Sequence, residues 1–96
     1  MENCVYILYS ASISKYYIGF TQNLDLRLEF HKNSDGRKFT AKAKDWKLFF
    51  RIDCNSKAQG LCIESHIKKM KSKKYIENLK QYPEMVYKLK KRYSDS

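Results

Sequence analysis

The chain has 96 residues, of which 43% are hydrophobic, and 20 Lys plus Arg against 10 Asp plus Glu leave a net charge of +10. That length holds one compact domain, burying about 65% of its unfolded surface by size scaling, and excludes a second. Five Phe, eight Tyr and one Trp exclude a disordered chain, which lacks such apolar area. The charge asks for an anionic partner, either nucleic acid or an acidic membrane surface.

Residues 4–10 (CVYILYS) and 15–21 (KYYIGFT) are rich in β-branched and aromatic side chains and flank the short stretch Ala11 to Ser14, which predicts a β-hairpin. Thr21, Gln22 and Asn23 offer caps for a helix, Asp25 lies in its first turn where the macrodipole favours an acid, and Leu24 and Leu28 form a one-turn apolar pair. This helix is expected to end near Asn33. Residues 34–45 are polar and basic, with Gly36, Arg37, Lys38, Lys42 and Lys44, and read as a surface loop. WKLFFRIDC, residues 46–54, is a third strand.

Beyond it, Ser56 with Gln59 three residues later fits a capping box. Ala58, Cys62, Ile63, His66, Ile67 and Met70 spread over one broad side of the helix so started, and Glu64 points away from the centre of that side. Two short helical segments follow, Lys73 to Gln81 and Pro83 to Tyr93, with Pro83 suited to a helix start. The expected fold is an α/β sandwich: a small three-stranded, mainly antiparallel sheet flanked by helices in the order β-β-α-β-α-α. It forms a single domain, with a core of about residues 4–80 and a basic helical extension over 81–96.

No stretch approaches the roughly 18 apolar residues of a membrane-spanning helix, and the first residues lack the basic-then-apolar pattern of a signal peptide. Cys4, Cys54 and Cys62 are odd in number and widely spaced, which fits a reducing compartment and does not outline a zinc set with His31 and His66. A soluble, cytoplasmic protein with no membrane partner is expected.

Tyr6, Tyr9, Tyr16 and Tyr17 crowd the hairpin. Alternation puts Tyr6 on the face of Leu8, and Tyr17 on the face of Gly19. A glycine inside a strand leaves space above the backbone, as the close approach of a ligand requires. Arg27 and His31, four residues apart, project in one row from one helical face and pair a permanent cation with a titratable imidazole.

Val5-Tyr6-Ile7, then Tyr17-Ile18-Gly19 ten residues later, then LDLRLEFH from Leu24 to His31 and LCIESHIKKM from Leu61 to Met70 together resemble the GIY-YIG nucleases. The likeness covers about residues 4–80 and is greatest to the small stand-alone bacterial members; it extends to the nuclease domain of the excinuclease C subunit. The glycine of the first motif is absent, with Cys4 and Val5 in its neighbourhood, but the phenol of Tyr6 is retained. Phe20 follows the second motif where a smaller residue would leave a roomier site, so access is expected to be restricted.

Phosphodiester hydrolysis needs a base for water, positive charge over the phosphorus and stabilisation of the leaving 3′ oxygen. The resemblance implies Tyr17, with Tyr6 near it, for water activation, His31 as assistant, Arg27 for charge on the phosphoryl oxygens, and Glu64 for a single divalent metal. A lone carboxylate suits Mg2+, or Mn2+, which keeps several waters and takes further oxygens from the phosphate. Asn78 is the one nearby candidate for the Asn that steadies the metal-binding Glu in many members, and Gly19 supports the second motif.

Taken singly, each residue has a plainer reading. Hairpin tyrosines pack sheets, Arg27 and His31 suit a solvated helix face, Glu64 suits a counter-ion to Lys68, Lys69 and Lys71, and His66 suits a satisfied core histidine. The functional reading rests on their joint order and spacing. Ten basic residues against two acidic ones between positions 67 and 92 suggest a phosphate footprint that includes Lys68, Lys69, Lys71, Lys73 and Lys74, joined by Arg37, Lys38 and Lys42 of the loop. The expectation is a metal-dependent endonuclease acting on duplex, branched or flap DNA, in repair or recombination. The alternative is a catalytically inactive nucleic-acid-binding module of the same fold, and a third reading is an interaction domain for an acidic protein.

Overall fold

The computed structural model describes residues 2–32 and 42–94, and of Lys32 only the backbone. Its elements in chain order are β1 (Asn3–Ser10), β2 (Lys15–Thr21), α1 (Leu24–Lys32), β3 (Lys47–Cys54), α2 (Lys57–Met70), α3 (Lys73–Gln81) and α4 (Pro83–Arg92). The strands form one sheet in the order β2-β1-β3, and both pairings are antiparallel. The expected β-β-α-β-α-α order is therefore present, with α4 following it in the stretch read as an extension.

As the middle strand, β1 has no solvated face, and Cys4 through Leu8 are all buried. Alternation divides them. Val5 and Ile7 join Ile52 of β3, Ile63 and Ile67 of α2, Ile76 and Leu79 of α3, and Leu89 of α4. Cys4, Tyr6 and Leu8 join Leu24 of α1, with Tyr17, Leu28 and Trp46 packed against them. The sheet thus lies between α1 on one side and α2, α3 and α4 on the other, each fully buried aliphatic side chain contributing roughly 1.5–3 kcal/mol.

The β1–β3 register slips between Ile7 and Leu8. Ile7 faces Phe50 and Leu8 faces Leu48, so Phe49 is the extra residue of a bulge. Two consecutive phenylalanines consequently pack against the larger core. Phe49 meets Tyr16 edge-on at 5.1 Å and lies under the Lys80 ammonium, 4.7 Å from its ring centre.

Capping decides the helix starts. Of the three candidates for α1, Asn23 accepts from the Leu26 amide (3.1 Å), while the Thr21 hydroxyl receives the Asn23 amide (3.0 Å). Ser56 Oγ accepts from the Gln59 amide at the start of α2, and Ser72 Oγ from the Tyr75 amide at the start of α3. Pro83 opens α4.

The buried stripe of α2 differs from the expected one. Gln59, Gly60, Ile63 and Ile67 face inward, whereas Ala58, Cys62 and Met70 are exposed. The reason is long-range pairing. The Gln59 carboxamide accepts from the Asn55 amide (2.7 Å) and donates to the Lys90 carbonyl (2.8 Å), so this polar group is satisfied where an apolar one was expected. Gly60 receives the Phe20 ring, since a Cβ there would stand 2.2 Å from it. With Leu89 buried and the Lys90 carbonyl bonded to α2, the C-terminal helix is part of the core packing.

Candidate active site

Hairpin register sets the first two side chains. Tyr6 pairs with Gly19 and Leu8 with Tyr17, so all four share the sheet face covered by α1. The space over Gly19 is not open to a ligand, contrary to the sequence expectation: the Tyr6 ring fills it, and a Cβ at Gly19 would lie 2.5 Å from both Cζ and Oη of Tyr6. Phe20 lies on the opposite face, packed on Gly60, so it does not narrow the site as expected.

α1 supplies the next two. His31 is buried, 7% exposed, and its Nε2 lies 2.8 Å from Tyr6 Oη. Burial pushes the Tyr6 phenol well above its ordinary range. Tyr17 adds to that shift, Arg27 opposes it by charge and by a hydrogen bond, and the charge of Glu64 adds to it again. The phenol therefore stays protonated at neutral pH. The Tyr6 hydroxyl thus sits between Arg27 and His31 Nε2, and the tautomer of the imidazole sets which of Oη and Nε2 donates. Tyr17, half-buried, sets its ring 4.8 Å from that of His31, edge to face, and 6.2 Å from that of Tyr6.

Glu64 comes from α2, which packs on the other sheet face, yet its charge reaches Tyr6. It is half-buried, with 18% of its side chain exposed, and Oε2 lies 3.2 Å from Lys68 Nζ. Lys68, one helical turn on, lines a shallow depression with Tyr16, Tyr17 and Ile18. This face of α2 is directed at the free edge of β2. Tyr6, Tyr17, Arg27 and His31 thus lie together on the α1 side of the sheet, while Glu64 is linked to them through its charge on Tyr6. No three His, Cys, Asp or Glu side chains gather as a metal cluster among the described residues. A single accessible carboxylate fits a hard ion that keeps its waters, and not a closed zinc set.

The expected phosphate track divides. Lys68, Lys71 and Lys73 line a groove against Tyr16 and Ile18 of β2, and Lys73 Nζ also donates to the Ser14 carbonyl (2.6 Å). Lys69 instead lies with His66 and Arg92 on the outer side of α2, while Lys74 and Lys42 are exposed elsewhere. Arg37 and Lys38 lie outside the described residues. For Asn78 the structure records a backbone role, its carbonyl accepting from the Tyr82 amide (2.8 Å) where α3 ends. His66 is half-buried with Nδ1 2.9 Å from Tyr93 Oη. Burial, then Arg92 and Lys69, hold its imidazole below the usual histidine range. Sequence reasoning gave Lys15 no role. It joins the same groove as Lys68 and Lys71 because β2 is an edge strand, which only the strand order reveals.

Comparison with known proteins gives the family of the chain. The family model described as the GIY-YIG catalytic domain matches residues 2–78. The chain is 30% identical over 77 residues to the UPF0213 protein YazA of Bacillus subtilis (strain 168), covering 77% of this chain and 78% of that one. It is 34% identical over 86 residues to a UPF0213 protein of Syntrophus aciditrophicus (strain SB), covering 88% and 98%. No solved structure matches it.

Proposed function

Because the chain belongs to the GIY-YIG family, whose members are nucleases acting on DNA, we propose that it is a divalent-metal-dependent DNA endonuclease. The observation that supports this reading is a half-buried tyrosine packed on a buried Tyr–His pair that also receives an arginine, with the charge of one carboxylate reaching them from the other side of the sheet.

In this mechanism Tyr17 acts as the phenolate, its own proton having passed to solvent, and takes the proton of the attacking water as the water oxygen bonds to phosphorus. The groups beside Tyr17 are His31, with ring centres 4.8 Å apart, and Lys68 in the same depression. Tyr6 is a positioning residue. Buried and protonated, it holds the imidazole through Nε2 and receives Arg27. The exposed end of Arg27 stabilises charge on the phosphoryl oxygens. Glu64 would hold the ion, magnesium or manganese, which when bound supplies Lewis-acid charge at the phosphate and leaving oxygens.

The test is incubation of supercoiled, branched and flap DNA at low salt with magnesium or with chelator, beside Glu64→Ala and Arg27→Ala. The expected result is metal-dependent nicking that falls by about 10²–10³ in each variant, the usual loss for one charge-stabilising group. Binding with no cleavage of any substrate would make the chain a binding module. We further propose repair or recombination as its setting, since flap and branched DNA arise there; cleavage confined to unbranched duplex would remove that assignment.

A further inference from the structure

Beside Tyr17, two contiguous depressions of about 240 and 350 Å³ share Tyr16, Ile18 and Lys68. Their rim carries four lysines, Lys15, Lys68, Lys71 and Lys73. Their floor is Tyr16, Ile18 and the edges of Ile67 and Ile76. No carboxylate lines either one among the described residues. Two acids adjoin their lining, Glu64, which is paired with Lys68, and Glu77, at the Tyr16 hydroxyl.

We propose that this groove is a binding site for single-stranded DNA, leading an unpaired strand to Tyr17, an inference that rests on the nuclease reading above. Three observations converge on it. The groove is small, about 240 and 350 Å³ in its two parts, against roughly 300–1,000 Å³ for small-ligand clefts, a size that matches a nucleotide or two of separated strand. Its floor is apolar and aromatic, which suits the exposed face of an unpaired base. A duplex keeps its base faces stacked inside and presents phosphate, sugar and base edges, so it has no base face to lay on such a floor. Its rim is cationic on both sides, β2 giving Lys15 while α2 and the start of α3 give the other three, as a backbone threading between them requires. The preferred substrate is then DNA with an unpaired segment next to the scissile bond.

Binding measured in chelator separates this inference from catalysis. Fluorescence anisotropy would compare a short labelled single strand, the same strand as a blunt duplex, and a duplex bearing a single-stranded tail. The single strand and the tailed duplex are expected to bind at least about fivefold tighter than the blunt duplex. The double variant Lys15→Gln/Lys71→Gln should weaken single-strand binding about tenfold and reduce its salt slope by about 1.4, two contacts at about 0.7 each. A control of equal charge outside the groove, Lys57→Gln/Lys88→Gln, should weaken the single strand and the blunt duplex alike. Equal wild-type affinity for single strand and blunt duplex, or an equal effect of the groove variant on both, overturns the proposal. A chain that binds in this way and cuts nothing loses the nuclease reading alone. One that cuts blunt duplex but shows no single-strand preference loses the groove alone.

Discussion

Gly19 is held by a neighbour's ring. Tyr6 lies across it, fixed at its far end by His31 and at its base by the middle strand, so the ring has no room to yield to a methyl group. Gly19→Ala is therefore expected to destabilise the protein by about 1–3 kcal/mol, the usual cost of overpacking, and to lower the cleavage rate by displacing Tyr6 and with it His31. Gly60→Ala makes a similar clash with Phe20 on the opposite sheet face. It should cost comparable stability in urea unfolding and lower the rate per folded molecule less than Gly19→Ala, since Gly60 does not touch Tyr6. Equal rate losses in both variants would mean that the two faces are coupled and would remove the assignment of Tyr6 as a positioning residue. The position of Gly19 in the motif is legible in the sequence. Its physical reason is not, because the occupant of the space is a side chain from another strand.

Between β1 and the start of β3, one carboxylate acts as a clasp. Asp45 accepts from Ser10 Oγ (2.5 Å), the Ser12 amide (2.8 Å) and Ser12 Oγ (2.8 Å). These bonds, led by Ser10, lower its carboxyl to about 2. A depressed carboxyl stabilises the fold above its unfolded pKa, near about 3.9, and that contribution is lost as the pH falls through the folded value. Thermal melting between pH 5 and pH 2 should therefore show a steeper decline for the wild type than for Asp45→Asn. Parallel curves would mean that the clasp does not form.

The strands and helices themselves could be read along the chain, since Ser56, Ser72 and Pro83 act within a turn of where they stand. The buried face of α2 could not. It turns on Gln59 meeting the Lys90 carbonyl and on Phe20 meeting Gly60, contacts whose sequence separation hides them from periodicity. The five candidate residues were singled out by their joint spacing, whereas the groove beside Tyr17 needed the edge position of β2.

Taken together, the domain runs past the residues its family model matches. That match ends at residue 78, yet α4 contributes Leu89, 5% exposed, and holds the Gln59 carboxamide. Leu89→Ala is expected to cost about 2–5 kcal/mol, as for other buried leucines, read as a lower urea midpoint. A loss below about 0.5 kcal/mol, the range of ordinary surface changes, would make the last helix an appendage. The net charge of +10 likewise takes on a layout. Four lysines converge beside Tyr17, Lys69 and Arg92 lie across α2 from them, and Arg51 is spent on Asp53 at 2.6 Å.

The middle position of β1 also imposes an order in time. Its hairpin partner is complete at Thr21, but its second partner ends at Cys54. On a ribosome adding about 5–20 residues per second, the hairpin waits roughly two to seven seconds with one edge of β1 unpaired. During that interval Val5 and Ile7 lack every helix that later covers them, and a second nascent hairpin nearby offers the same edge. The strand at the centre of the finished sheet is thus left open to mispairing while the molecule is being made.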